Sequence, residues 1–451
     1  IVRKHINISS FCETCFPRSF PSRVLPFSLF FQTSETSSLR RQTHLIIFNA
    51  ERNDSLQQMS RGVTQPLASI AEVRRITRSS RVPSCTSNAA ATSSSSSSSS
   101  SQKSSYESSH WNERYEKESH EWMWTFTDEE NDEIELALRH FRATNLDVMD
   151  VTAETFPLSS SFQNKLLAMR DEILQGRGFA VQRGLTVARY SNKDICTIFC
   201  AIGKIMGIPV SQNKFGHVLG HVYDLGNDPL SPSTRLYTTS AAQPFHTDSA
   251  DIVGLLCIRN APVGGDSQWV SSVRCYEEIK RERADLAEVL LQPFFVSRKG
   301  EIPPGCGPTY EMAVFHEVED DRTGEKNIIG IYDRSFIDAA QTIEGTPKLT
   351  SLQIEALNYL DALCVKRQIE MRLQSGDIQW LHNHTTFHAR SAFKNESEFP
   401  RHLLRLWLSP ENGIKLPDAF KTRFNSTERG NPNRGGIKIK DDVKLVCPLE
   451  P

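Results

Sequence analysis

The chain has 451 residues and a formal net charge of −2, with 52 Lys and Arg against 54 Asp and Glu. The balance is uneven: residues 1–100 carry 12 basic and 5 acidic side chains, leaving 40 basic against 49 acidic for the rest. A mildly acidic body argues against nucleic acid as a partner, because phosphate backbones demand a clustered basic face. No run reaches the ~18 apolar residues that span a bilayer, which argues against a membrane partner.

The first hundred residues do not read as a fold. They contain nine consecutive serines, Ser93 to Ser101, inside a wider Ser/Thr/Ala-rich stretch. Such sequence buries too little apolar area to offset chain entropy. Met59 is the first methionine, and residues 1–58 are expected to be a fragment or a translated leader. Residues 59–105 are Arg- and Ser-rich with Glu72 as their sole acid, a composition compatible with a mitochondrial transit segment. The expected organisation is a basic Ser-rich extension over 1–115, one folded domain over 120–425 and a C-terminal tail over 426–451. Cys12 and Cys15 form an isolated C-x-x-C, whereas Cys196, Cys200, Cys257, Cys275 and Cys364 stand in apolar contexts and read as reduced core thiols. Reduced thiols favour a cytoplasmic location, with the mitochondrion as alternative. The sequon at Asn383 therefore reads as a chance match.

The folded region opens at Thr127, which with Glu130 forms a capping box before apolar Ile134, Leu136, Leu138 and Phe141. A second helix is expected over 162–174, stopped by Gly176, then a strand over 179–182 and a third helix over 193–206, stopped by Gly207 and Pro209. From Val210 the pattern changes to short extended runs with Gly, Pro, Asn and Asp between them. Strands are expected at 252–258, 267–270, 293–296, 328–332 and 403–408, with one helical insert at 351–363. Many short strands with a few helices predict a mainly β protein with flanking α-helices, built on a double-sheet jelly-roll (double-stranded β-helix) core.

His246 and Asp248 stand at i and i+2 in Gln243-Pro244-Phe245-His246-Thr247-Asp248. On an extended segment they point to one side, so one metal ion can take both. A second His completes the 2-His-1-carboxylate face that leaves positions open on Fe(II). His382, His384 and His388 all offer themselves. Counted by two along an extended strand, the three face one side, so alternation does not choose among them. Spacing and context favour His388, in Phe387-His388-Ala389-Arg390, 140 residues after Asp248 and 13 before Arg401. Arg401 opens Arg401-His402-Leu403-Leu404-Arg405, and its planar fork suits a carboxylate gripped by two parallel hydrogen bonds. Tyr237, Thr238, Thr239, Gln243 and Asn213 are pocket candidates by position alone.

Together these segments resemble the taurine dioxygenase (TauD/TfdA) and clavaminate synthase-like family of Fe(II)- and 2-oxoglutarate-dependent dioxygenases, over about residues 124–420. Gly178-Phe179-Ala180-Val181-Gln182-Arg183-Gly184 resembles the early family strand, and Gly264-Gly265-Asp266-Ser267 its Gly-Gly-acid-Ser/Thr element. The resemblance implies His246, Asp248 and His388 as iron ligands. It implies Arg401 and the Ser267 hydroxyl on the distal carboxylate of 2-oxoglutarate, and Arg405 facing cosubstrate or substrate. Ser267 stands where the family often has Thr; the hydroxyl is kept. The implied cofactors are Fe(II), 2-oxoglutarate and O2, and the implied reaction hydroxylates a small molecule. Two rivals remain at this point: a catalytically silent jelly-roll binding protein, and a cupin-like metal hydrolase or isomerase.

Overall fold

The computed structural model of the protein describes residues 121–451 apart from Pro232 and Ser397. The expected extension over 1–115, its leader or transit reading, and Cys12 and Cys15 lie outside the described residues. Among the described residues no helix is long and apolar enough to cross a membrane, and seven cysteines are free thiols, five of them buried.

Chain order starts with β1 (Met123–Thr125), α1 (Asp128–Thr144), α2 (Ser160–Gln175), β2 (Phe179–Arg183), α3 (Asn192–Met206), β3 (Ile208–Pro209), β4 (Leu219–Tyr223) and β5 (Gln243–His246). It continues with β6 (Ile252–Arg259), β7 (Val263–Gly264), β8 (Ser267–Ser271), α4 (Ser272–Glu282), α5 (Ala284–Leu290), β9 (Pro293–Ser297), β10 (Thr309–Ala313), β11 (Phe315–Glu319) and β12 (Lys326–Gly330). The last elements are α6 (Arg334–Ala340), α7 (Ser351–Arg367), β13 (Ile369–Met371), β14 (Ile378–His382), β15 (Thr386–Arg390), β16 (Phe393–Lys394) and β17 (His402–Ser409).

Local sequence starts the helices where capping chemistry dictates. The Thr127 hydroxyl accepts from the Glu130 backbone N–H at 3.2 Å, and the Glu130 carboxylate accepts from the Thr127 N–H at 3.0 Å. Each such cap stabilises a helix by about 1 kcal/mol. Helices α1 to α3 bury Ile134, Phe162 and Phe199 against Trp380, Leu404 and Leu406. Helices α4, α5 and α7 bury Ile279, Leu286 and Leu360 with Val270, Phe315 and Phe387. Full burial of one such side chain contributes about 1.5–3 kcal/mol.

Two sheets carry the architecture. The larger has strand order β1-β2-β14-β6-β17-β3, with β4 also paired to β17; the smaller has order β13-β8-β15-β5. All neighbours are antiparallel except β1 and β2. Strands β14 and β15 are joined by the turn Asn383-His384-Thr385, so the chain passes there from the larger sheet to the smaller. The protein is thus mostly sheet with packed helices.

Two sequence expectations are corrected. Helix 351–363 is not the single insert among the strands: α4, α5 and α6 also interrupt them. Ser271 ends β8 and caps α4 at once, its hydroxyl accepting from the Arg274 N–H at 3.1 Å. No Gly or Pro separates strand from helix there, so the punctuation that sequence reading relies on is missing. The second correction concerns the three histidines. They do not share one extended strand, because the turn at 383–385 holds His384 and separates His382 on β14 from His388 on β15, in the other sheet.

The C-terminal stretch 426–451 lies against the body. The Gly436 N–H donates to the Ser249 carbonyl at 2.6 Å and the Ile437 N–H to the Ser211 carbonyl at 2.8 Å. Arg434 is fully buried.

Candidate metal centre and adjoining pockets

His246 ends β5 and His388 sits at the middle of β15. The antiparallel register sets them directly opposite each other, with ring centroids 4.2 Å apart. Asp248 follows in the loop after β5, and its carboxylate lies 3.8 Å from His388 Nε2. One ligand atom from each of His246, Asp248 and His388 falls within 4.8 Å of the others, and all three residues are buried.

The surroundings set protonation. The Pro244 carbonyl, 2.9 Å from His246 Nδ1, can only accept, so Nδ1 carries the hydrogen and Nε2 presents a lone pair. That lone pair meets the Gln243 side-chain amide at 2.9 Å. Burial pushes His388 down to about 3, so it is neutral and able to ligate at pH 7. Burial alone would raise Asp248, but the Arg405 guanidinium beside it outweighs that and the carboxyl is held at about 2. Arg405 Nη1 lies 3.1 and 3.3 Å from the two Asp248 oxygens, and its Nε donates to Gln212 at 2.8 Å. Its guanidinium is sandwiched by Tyr237 and Trp407, each ring centre 4.8 Å away.

A pocket adjoins the cluster, with walls from both sheets: Leu255, Leu403 and Arg405 on one side, His246, Ser267 and His388 on the other. Arg401 closes it. Its Nε reaches Asn260 at 3.2 Å and one Nη the Gly265 carbonyl at 3.2 Å, while the other Nη is buried without a partner. Burial lowers its pKa to about 10. A guanidinium buried beside neutral acceptors, without a carboxylate, is costly unless a ligand supplies the anion. Ser267 lines the same pocket and donates its hydroxyl to Gln379 at 2.6 Å.

The Gly264-Gly265 pair explains itself here. Both have positive φ, +71° and +75°, and a Cβ on Gly265 would meet Arg401 Nε at 2.7 Å. Gly265→Ala is therefore expected to displace the Arg401 guanidinium and to destabilise the fold by about 1–3 kcal/mol. Denaturant unfolding measures this, and an unchanged midpoint would contradict the close approach.

The sequence-predicted residues thus converge. His246, Asp248, His388 and Arg405 meet at one point, and Ser267 and Arg401 line the adjoining pocket. Tyr237 and Gln243 line both this pocket and a larger cleft on the other side of the cluster. Thr238 and Thr239 instead cap their own turn. Asn213 serves a turn, accepting from the Phe215 and His217 N–H groups. The competing histidines are elsewhere: His384 bonds Asp251 at 3.2 Å, and His382 lines a separate cavity with Thr385 and Asn327.

Three contributors escaped sequence reasoning. Asn383 accepts from the Asp248 N–H at 3.0 Å and donates to the Asp248 and Ala250 carbonyls, fixing the loop that carries the carboxylate. Gln379 holds Ser267. Arg390 lines the Arg401 pocket with Nε and one Nη unpartnered, and burial lowers it to about 9. Its place two residues after His388 was the available signal.

The profile of the "Taurine catabolism dioxygenase TauD, TfdA family" matches residues 141–407, more than half of the chain. The FR-33289 synthase of Streptomyces rubellomurinus (strain ATCC 31215) is 28% identical over 320 residues, 69% of this chain and 92% of that one. A taurine hydroxylase-like protein of Stachybotrys chartarum (strain CBS 109288 / IBT 7711) is 28% identical over 310 residues, 64% of this chain and 75% of that one. Among solved structures, an asparagine oxygenase in complex with Fe(II), 2S,3S-3-hydroxyasparagine and succinate has a TM-score of 0.48 at 18% identity, covering 64% of this chain and 93% of that one. The non-heme iron oxygenase OrfP with Fe, succinate and (3S)-hydroxy-L-Arg has a TM-score of 0.49 at 14% identity, covering 63% and 94%. The extent of the profile match, together with a buried His-Asp-His cluster in the matched region, makes this chain a member of the TauD/TfdA family of Fe(II)- and 2-oxoglutarate-dependent oxygenases.

Proposed function

We propose that the protein couples oxidative decarboxylation of 2-oxoglutarate to hydroxylation of a small-molecule substrate, on a jelly-roll core formed by the two sheets. One observation carries the reading: His246 and His388 of the cluster share a pocket with Arg401, a buried cation that has no carboxylate partner among the described residues.

The donor set fits Fe(II). His246 Nε2 presents a lone pair, His388 is neutral and Asp248 is ionised, and two imidazoles with one carboxylate suit non-heme iron. His246, Asp248 and His388 would hold the metal, which with 2-oxoglutarate and O2 supplies the oxidising chemistry. The chain's own residues do the rest. Arg405 keeps Asp248 charged and oriented, and Asn383 fixes its backbone. Arg401, with the Ser267 hydroxyl beside it, would take the distal carboxylate of 2-oxoglutarate. Val222, Leu255, Leu373 and Leu403 wall that pocket and limit water. A metal hydrolase or isomerase on the same ligands, or a silent binding protein, gives no reason to bury an unpaired Arg401.

Losing one partner of a buried charge pair costs about 2–5 kcal/mol, equal to about 30- to 4,000-fold in affinity. Arg401→Ala should weaken 2-oxoglutarate binding by that factor and leave Fe(II) affinity nearly unchanged. Arg401→Lys should recover only part, because an ammonium lacks the two-pronged fork. Calorimetric titration of the Fe(II) protein without oxygen measures both. If Arg390→Ala rather than Arg401→Ala gives the loss, the anchor has been placed on the wrong arginine.

A further inference from the structure

The cleft on the other side of the cluster is lined by His246 and Asp248 together with three cations, Arg235, Lys299 and Arg423. Arg235 and Lys299 flank one aromatic ring: the Arg235 guanidinium lies 5.4 Å and the Lys299 ammonium 4.5 Å from the centre of Phe336. Among the described residues neither Arg235 nor Arg423 makes an ion pair or a side-chain hydrogen bond, and one Nη of Arg235 is buried without a partner. Lys299 reaches only the Ser335 hydroxyl, at 3.1 Å.

Charge bookkeeping points one way. Arg405 and Asp248 offset each other. Asp333 is the remaining carboxylate on the lining, and one of its oxygens already accepts from the Ser335 N–H and hydroxyl. Glu301 acts on Arg423 from beyond ion-pair distance. On the lining itself, three cations against Asp333 leave a surplus of two positive charges beside His246 and Asp248. Burial lowers the pKa of Arg423 and of Lys299; Asp333 partly offsets this at Lys299 and Tyr310 at Arg423, and repulsion from Arg235 adds to it in both cases.

We propose that Arg235, Lys299 and Arg423 form a subsite for the dianionic end of the substrate, a phosphonate or phosphate monoester, whose carbon chain then lies over His246 and Asp248. This deepens the oxygenase reading and rests on it. A phosphate monoester carries about −1.5 to −2 charge at pH 7 and three acceptor oxygens, which matches a surplus of two charges and several free N–H donors. Guanidinium groups give such oxygens paired, charge-assisted hydrogen bonds. Holding the substrate at a remote charged end positions its C–H bonds without touching them, and binding energy from that end supports orientation at the reacting centre.

The test uses the whole protein and four probes: methylphosphonate, methyl phosphate, methanesulfonate and acetate, titrated calorimetrically at pH 8. One or both phosphorus dianions should bind at least about tenfold more tightly than either monoanion, a difference of ~1.4 kcal/mol. The ratio of the two dianions then separates phosphonate from phosphate ester. Arg423→Gln and Arg235→Gln should each weaken dianion binding by about tenfold or more, and Arg423→Lys should restore part of it. Equal binding of dianions and monoanions, or unchanged binding in both Gln variants, overturns the subsite. The Fe(II)- and 2-oxoglutarate-dependent absorption band, recorded on the same samples, separates the two claims. Dianion binding that depends on Arg423 in a protein without that band supports the subsite and counts against the oxygenase reading alone. A normal band with no dianion binding counts against the subsite alone.

Discussion

Replacing His388 by Ala is expected to abolish stable Fe(II) binding and reduce turnover to background, while His382→Ala and His384→Ala keep measurable turnover. His388 faces His246 across paired strands and lies 3.8 Å from Asp248. Its loss leaves one imidazole and one carboxylate, too few for the facial triad. Asp248→Ala should have the same effect and should also strand Arg405 without its anion. His384 is removed from the cluster by the turn after β14 and bonds Asp251 instead. Its replacement should cost stability, on the order of 1–3 kcal/mol for the buried partner left behind, rather than the metal. Iron content by elemental analysis and succinate release give the two readouts. A metal-free His384→Ala beside an iron-loaded His388→Ala would place the third ligand wrongly.

The second large effect is expected at Arg434, far from the motifs in sequence. Its guanidinium is fully buried, with Nε 2.8 Å from Asp251 and an Nη on the other carboxylate oxygen. Asp251 is fully buried too, held well below the usual carboxylate range because Arg434 and His384 outweigh the burial that would raise it. Removing one partner of a buried pair costs about 3–5 kcal/mol. That is a large share of the ~5–15 kcal/mol by which domains are stable. Arg434→Ala should therefore lower the melting temperature by on the order of 10 °C. Arg434→Met with Asp251→Asn should recover part of it, because the stranded charge is then gone. A melting curve unchanged in Arg434→Ala would show that the C-terminal stretch does not help hold the metal-binding loop.

The parts of this protein that local chemistry decides are readable from its sequence. The capping box at Thr127 and the stop at Gly176 follow from propensities that act over a few residues. His246, Asp248, Arg401 and Arg405 stood out as candidates because the proposed iron and dicarboxylate chemistry calls for those residue types in that order. The helix at Ser272 was hidden because one residue both ends a strand and caps a helix. Strand alternation could not choose among His382, His384 and His388, because it presumes a continuous strand where the chain turns; spacing and the Phe387-His388-Ala389-Arg390 context favoured His388 instead. Asn383, Gln379 and Arg434 work through partners 135, 112 and 183 residues away. Neither period nor spacing encodes such pairings; they exist only once the sheets and the C-terminal stretch have assembled. The surplus of charge in the second cleft belongs to the same class, since Arg235, Lys299 and Arg423 come from three separate loops.

The proposed chemistry requires one pocket to bind iron and 2-oxoglutarate together. Anaerobic titration of the Fe(II) protein with 2-oxoglutarate, followed by the metal-to-ligand absorption band, tests this directly. A saturable band is expected in the natural protein, absent in His388→Ala, and reached in Arg401→Ala only at about 30-fold higher 2-oxoglutarate or more. A protein that binds Fe(II) through His246, Asp248 and His388 yet develops no band at saturating 2-oxoglutarate would contradict it.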